Sequence, residues 1–224
     1  MYTTLLFDID DTLLDFKKAE KVAVSKTLES IGLNPTDEVV KTYSGINAAL
    51  WEKYQRKEIT KERLVVQRFE ELCNAYNIDN SNAEEINKNF IENISQGFFE
   101  IEGAKETLAK LNEKYETYAV TNALLWVSTS RLKGSGFYPM FKKIFNSDQI
   151  GASKPNKEFF DVVFANINET DKSKILIIGD SLTSDILGGI NAGIDTAWVN
   201  PDNKTTDLNV TYTIKSVTEL LNIL

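Results

Sequence analysis

The chain of 224 residues contains no histidine and only one cysteine. Without histidine, Ser-His-Asp and Cys-His catalysis are excluded and a typical zinc site is disfavoured, so acid–base chemistry falls to carboxylates and lysines. The lone Cys73 excludes an intramolecular disulfide, which fits a reducing cytosol. It lies in the helix-like stretch RFEELCNAY and reads as a packing residue. No apolar run approaches the length of a membrane span, and Met1 opens directly onto a strand, so neither an anchor nor a signal peptide is expected and the location is expected to be cytoplasmic. Basic residues are outnumbered, 25 Lys and Arg against 33 Asp and Glu, for a net charge of −8. That balance argues against nonspecific binding to nucleic acid or to an anionic membrane.

What is present is concentrated in residues 5–14, LLFDIDDTLL. Leu5, Leu6 and Phe7 predict a strand buried on both faces of a sheet. It runs straight into Asp8, Asp10 and Asp11, followed by Thr12. Unpaired charge beside a core costs several kcal/mol or shifts its pKa, and in open α/β sheets ligands bind just beyond the carboxyl ends of the strands. On an extended segment Asp8 and Asp10 project from the same face. Two such carboxylates suit a hard cation, or can divide nucleophilic and acid–base work between them. The plainer reading is an Asp-rich turn and helix cap.

Residues 16–98 carry helix-spaced apolar positions in four segments, with breaks at Gly32–Pro35, Glu58–Thr60 and Asn77–Asn82. An all-helical block after the first strand predicts an inserted cap domain at 16–98, with a core domain formed by 1–15 and 99–224. From Glu102 onward helices alternate with strands: ETYAVTN, KKIFNS, KILIIGD and DTAWVN, with TYTI as an edge strand. The fold class expected is α/β, a doubly wound, parallel, Rossmann-like sheet carrying a helical cap.

Three further strand tips or loops carry polar groups: Thr121 and Asn122, then Lys154 before Pro155, then Asp180 followed by Asp185. Singly, these are ordinary turn, cap or solvated residues. Gathered at one sheet edge, they fit phosphoryl transfer. Asp8, Asp180, Asp185 and the backbone carbonyl of Asp10 offer the oxygen ligands that Mg²⁺ takes. Lys154 would balance charge on Asp8 and the transferring group, while the Thr121 hydroxyl and the loop N–H groups around Asp11 would hold its equatorial oxygens. Asp8 would attack phosphorus, and Asp10 would protonate the leaving oxygen and then deprotonate water.

On these residues the chain resembles haloacid dehalogenase superfamily phosphatases with a helical cap after strand one. The motifs occur in order: DIDDT at Asp8–Thr12, Thr121, Lys154 before Pro155, and GDSLTSD at Gly179–Asp185. The resemblance implies Asp8 as nucleophile, Asp10 as general acid/base, Thr121 and Lys154 as phosphate ligands, Asp180 on Mg²⁺ and Asp185 in support. Segments such as LWEKYQ, KPNKEFFD and SDILGGINAG also resemble the branch of pyrimidine 5′-nucleotidases that act on UMP, dUMP, dTMP or their analogues. A departure is Ala123, where glycine is usual after the Thr–Asn pair. The expected partner is therefore a small phosphomonoester, met by a monomer or weak homodimer. Asp11, Thr12 and Asn122 are substrate-binding candidates, and Trp51, Tyr54 and Phe16 are candidates to stack on a base, although aromatics at helical spacing more often pack.

Other readings stay open. A sugar-phosphate or phosphoglycolate phosphatase, or a phosphomutase, would share the core motifs. A dehalogenase needs neither Mg²⁺ nor an acid at position 10. A receiver-type signalling domain pairs Asp with Thr and Lys but has about half this length and no cap.

Overall fold

The computed structural model describes residues 1–224. The chain divides into two compact units, one of residues 1–16 with 98–224, the other of residues 17–97.

The first unit is built on six parallel strands: β1 (Thr4–Phe7), β2 (Glu116–Thr121), β3 (Ile144–Asn146), β4 (Ile175–Gly179), β5 (Asp195–Val199) and β6 (Tyr212–Ile214). Their order is β3-β2-β1-β4-β5-β6, every neighbouring pair parallel. The expected doubly wound sheet is therefore present, and the chain reverses its direction of winding between β1 and β4. Strand alternation divides the apolar runs between two cores. Leu5, Phe7, Leu176 and Ile178 pack on one face with Leu108, Leu132 and Leu220, while Leu6, Ile175 and Ile177 pack on the other with Phe159, Phe160 and Val163. That double burial is why β1 and β4 read as unbroken apolar runs.

Between β1 and the second unit the chain folds on itself. Leu13 and Leu14 both donate to the Ile9 carbonyl at 2.9 Å, and Asp15 N–H donates to the Phe99 carbonyl at 2.8 Å, tying the outgoing segment to the returning one. The helix expected across SDILGGINAG begins instead as a π-helical turn, Leu182–Ile186, and becomes α-helical only at Leu187–Ala192. Ile186 N–H reaches the Ser181 carbonyl five residues back at 3.1 Å. Such single π turns cluster at functional sites because the extra residue re-aims a side chain; here that side chain is Asp185.

The second unit takes α1 (Phe16–Ser30), α2 (Asp37–Gln55), α3 (Lys61–Ala75) and α4 (Ala83–Ser95). Helix α1 begins on the last residue of the first unit. Thr36 and Thr60 cap α2 and α3, accepting from Val39 N–H at 3.3 Å and Arg63 N–H at 3.2 Å. Tyr43, Phe69 and Phe90 form an aromatic centre with ring centroids 5.3–5.5 Å apart. Beside it lies a buried polar set that helical periodicity does not announce. The Arg68 guanidinium sits 4.4 Å from the Phe90 ring and donates to Asn87 Oδ1 at 2.7 Å and Asn47 Oδ1 at 3.3 Å. Asn47 in turn donates to Glu20 Oε1 at 2.7 Å. Leucine at 68 would leave the buried Asn87 and Asn47 side-chain oxygens without their donor and remove the guanidinium from the Phe90 ring, so Arg68→Leu is expected to destabilise the protein by about 2–4 kcal/mol. Thermal or urea unfolding checks this; a loss below about 1 kcal/mol would contradict the network's role.

Candidate active site

Four candidates from the sequence meet where β1, β2 and β4 end. Asp8 follows β1, its N–H continuing the ladder to the Ile178 carbonyl at 2.9 Å. Asp180 follows β4, and the π turn brings Asp185 back beneath it. Lys154 arrives on the loop before α8 (Lys157–Phe164). It is 1 % exposed, and its ammonium donates to Asp8 Oδ1 at 2.6 Å, Asp185 Oδ1 at 2.6 Å and the Val120 carbonyl at 2.7 Å. An ammonium has three donors, and these three acceptors engage them all. Lys154 thus ties two carboxylates to the end of β2, and its contact with Asp8 is the charge balance expected of it.

Asp185 is fully buried, and its second oxygen accepts from Ser181 N–H at 3.1 Å. It lies so close to the strand end that a Cβ on Gly179 would stand 2.3 Å from Oδ2. Glycine at 179 is therefore what lets this carboxylate pass under β4. The Asp180 carbonyl accepts from Trp198 Nε1 at 2.9 Å, an anchor from β5 that the sequence did not reveal.

Electrostatics follow from crowding. Burial pushes Asp8 up to about 8, opposed by Lys154 and reinforced by Asp185 and Asp10. Asp180 is pushed up to about 9, by burial first and then by Asp8, Asp185 and Asp11, against the pull of Lys154. Burial alone would lower Lys154, but the Asp185 and Asp8 carboxylates outweigh it and raise the ammonium above its ordinary value. Three carboxylates thus share one ammonium. Oxygens of Asp8, Asp180 and Asp185 lie within 4.8 Å of one another. An all-oxygen set in mutual repulsion is what a hard divalent cation fits.

Asp10 does not belong to that cluster. Its carboxylate pairs with Arg131 on α6 (Leu125–Ser135), so of the four acids expected around a metal it is the one whose side chain is engaged elsewhere. Asp11 adopts a left-handed backbone, φ 55°, and its Oδ1 accepts from Phe16 N–H at 3.0 Å. Its own N–H donates to the Leu14 carbonyl at 2.8 Å. Thr12 is buried, and its hydroxyl makes no hydrogen bond.

Thr121 is buried at the end of β2, its Oγ1 accepting from Ala123 N–H at 3.1 Å. Asn122 clamps the lysine's own peptide, accepting from Lys154 N–H at 3.0 Å and donating to its carbonyl at 2.9 Å. Its side-chain amide therefore sets the height of Lys154. Trp51 and Tyr54 belong to the helical unit, where their rings meet edge-on at 5.6 Å with the Lys61 ammonium 6.0 and 5.5 Å from the two centroids. The Phe16 ring lies 5.5 Å from the Arg131 guanidinium.

The chain is similar to known proteins along its whole length. The chain is 39 % identical to YfnB of Bacillus subtilis over all of its own length and 95 % of that protein. It is 37 % identical to the pyrimidine 5′-nucleotidase PynA of Streptococcus pneumoniae, again over 100 % of this chain and 95 % of the relative. A crystal structure of the Bacillus subtilis YfnB bound to magnesium superposes with a TM-score of 0.95 at 38 % identity, covering 100 % of this chain and 98 % of that one. The family model for haloacid dehalogenase-like hydrolases matches residues 5–199, from β1 through β5. With its acids and lysine gathered at the strand ends, the chain belongs to the haloacid dehalogenase-like hydrolases.

Proposed function

We propose that the protein is a Mg²⁺-dependent phosphomonoesterase that works through an aspartyl phosphate and acts on pyrimidine nucleoside 5′-monophosphates. The observation that carries the chemistry is the buried Lys154 bridging Asp8 and Asp185 beside Asp180. A carboxylate held in one orientation by a fixed cation, in a chain without histidine, is equipped to act as a nucleophile.

In this reading Asp8 attacks phosphorus through the oxygen that Lys154 does not hold. Lys154 keeps that carboxylate oriented and offsets its charge. The Thr121 hydroxyl, whose oxygen already accepts from Ala123, donates its proton to a phosphoryl oxygen. Asp10 gives a proton to the departing ester oxygen and later takes one from the water that attacks the phosphoenzyme. Mg²⁺ held by Asp8, Asp180, Asp185 and the Asp10 carbonyl would supply the positive charge that lets a phosphate dianion approach these acids. Both the all-oxygen donor set and the magnesium bound by YfnB, a relative similar along the whole chain, support that choice.

Substrate class rests on the relatives. PynA and the pyrimidine 5′-nucleotidase YjjG of Escherichia coli, the latter 29 % identical over 98 % of this chain, match end to end, helical unit included. A panel of phosphomonoesters tests it. With Mg²⁺ present, kcat/KM for UMP, dUMP or dTMP should exceed that for sugar phosphates and phosphoglycolate by about 10-fold or more. Preference for a sugar phosphate would keep the mechanism and reject the nucleotidase assignment.

The raised acids give the metal dependence a sign. Asp8 near 8 and Asp180 near 9 in the metal-free fold stand above their unfolded values. Protons they retain stabilise that fold fully below about pH 4, and this contribution is lost as pH rises through 8 to 9. A cation must displace the same protons. The thermal stabilisation produced by Mg²⁺ should therefore be larger at pH 8.5 than at pH 6, measured by differential scanning fluorimetry at fixed ionic strength. Equal stabilisation at both pH values would contradict binding by these carboxylates.

A further inference from the structure

Arg131 is the largest of the side chains buried to below 2 % exposure, and it reaches the site from a helix rather than from a strand tip. Its guanidinium donates to Asp10 Oδ1, joining residues 121 positions apart. Helix α6 gives it a rigid mount. At the helix start, Leu125 N–H donates to Asp148 Oδ2 at 2.8 Å, and Asn146 Nδ2 donates to Ser128 Oγ at 3.2 Å. At its end, Ser135 Oγ donates back to the Arg131 carbonyl at 2.7 Å, and Lys105 donates to the Ser135 carbonyl. Asp10 is fixed in its backbone as well, through its bridge to Leu14. The carboxylate itself is about a quarter exposed, 26 %, whereas the arginine side chain is 1 % exposed.

We propose that Arg131 is the positioning residue for Asp10: by holding Oδ1 it fixes the carboxyl group's rotation, so that Oδ2 carries the proton in both halves of the reaction. This rests on the reading of Asp10 as acid and base given above. In the first half, the bond from Asp8 to phosphorus forms, the bond from phosphorus to the ester oxygen breaks, and the proton on Asp10 Oδ2 passes to that oxygen, which leaves as an alcohol. In the second, water oxygen bonds to phosphorus, the Asp8–phosphorus bond breaks, and a water proton returns to Oδ2. Asp10 ends as it began. Arginine suits this post because its planar fork holds one carboxylate oxygen in a defined direction. A buried guanidinium is also costly to leave unpaired, which keeps the contact in place.

Leaving-group chemistry separates positioning from mere support of the fold. 4-Nitrophenolate departs without a proton, so the first half-reaction with p-nitrophenyl phosphate does not need Asp10, whereas hydrolysis of the phosphoenzyme does. In Arg131→Met with Mg²⁺, rapid mixing with p-nitrophenyl phosphate should release a burst of nearly one nitrophenolate per enzyme at close to the wild-type rate. Steady-state turnover should fall by about 10²-fold or more, the range of a lost acid–base catalyst. Arg131→Lys should recover about 10-fold of that loss, and the double variant with Asp10→Asn should be no slower than Asp10→Asn alone. Equal loss of burst and steady state in both arginine variants would overturn the proposal in favour of a structural role. Unchanged turnover in Arg131→Met beside an inactive Asp10→Asn would overturn it while leaving the acid–base reading intact. Full activity in Asp10→Asn would reject that reading itself, and the proposal with it.

Discussion

The site depends on one buried ammonium. Lys154 sits within 2.7 Å of Asp8, Asp185 and the Val120 carbonyl, and each partner comes from a different stretch of chain. Without it, two buried carboxylates would face each other across β1 and β4 with nothing between them, at a cost of several kcal/mol. With it, the acids are held together in the interior, where burial first and their mutual repulsion second raise Asp8 and Asp180 well above ordinary carboxylates. The same cation therefore holds the site together and leaves it short of positive charge. That deficit is what the proposed divalent ion would fill before a phosphate dianion approaches.

Everything around Lys154 serves to place it. The sheet order puts β1 between β2 and β4, so the three strand ends that supply Asp8, Thr121 and Asp180 are adjacent. Asn122 grips the lysine's peptide from both sides. The π turn after Ser181 and the bare Cα of Gly179 allow Asp185 to come up from below. Arg131 adds a second ion pair at the rim, on Asp10. One charge pair thus holds Asp8, from the loop that carries Lys154, and another holds Asp10, from the helix that carries Arg131.

Much of this was legible in the sequence because the groups break a pattern. Asp8, Asp180 and Thr121 interrupt runs of apolar residues at places where a parallel sheet opens to ligand, and an acid there has few structural excuses. Lys154 was legible as a member of the set and as a partner of Asp8, but its second carboxylate, Asp185, appears only when the chain closes in three dimensions. Arg131 was not legible, because an arginine in an amphipathic helix looks solvated, and only its partner 121 residues away shows otherwise. Glu20, Asn47, Arg68 and Asn87 were hidden for the same reason, occupying inward positions of helices whose apolar residues alone carry the periodic signal. At Asp11 the left-handed turn directs the amide to Leu14, a local choice that composition does not disclose.

In the proposed mechanism Asp8, gripped by Lys154, becomes covalently phosphorylated during turnover. It is tested most directly by mixing enzyme, Mg²⁺ and a ³²P-labelled pyrimidine 5′-monophosphate, quenching in acid within milliseconds, and locating the label in a proteolytic digest. Hydroxylamine-labile label is expected on the peptide that carries Asp8. Rapid turnover with no label on that peptide, or label on another residue, would contradict it.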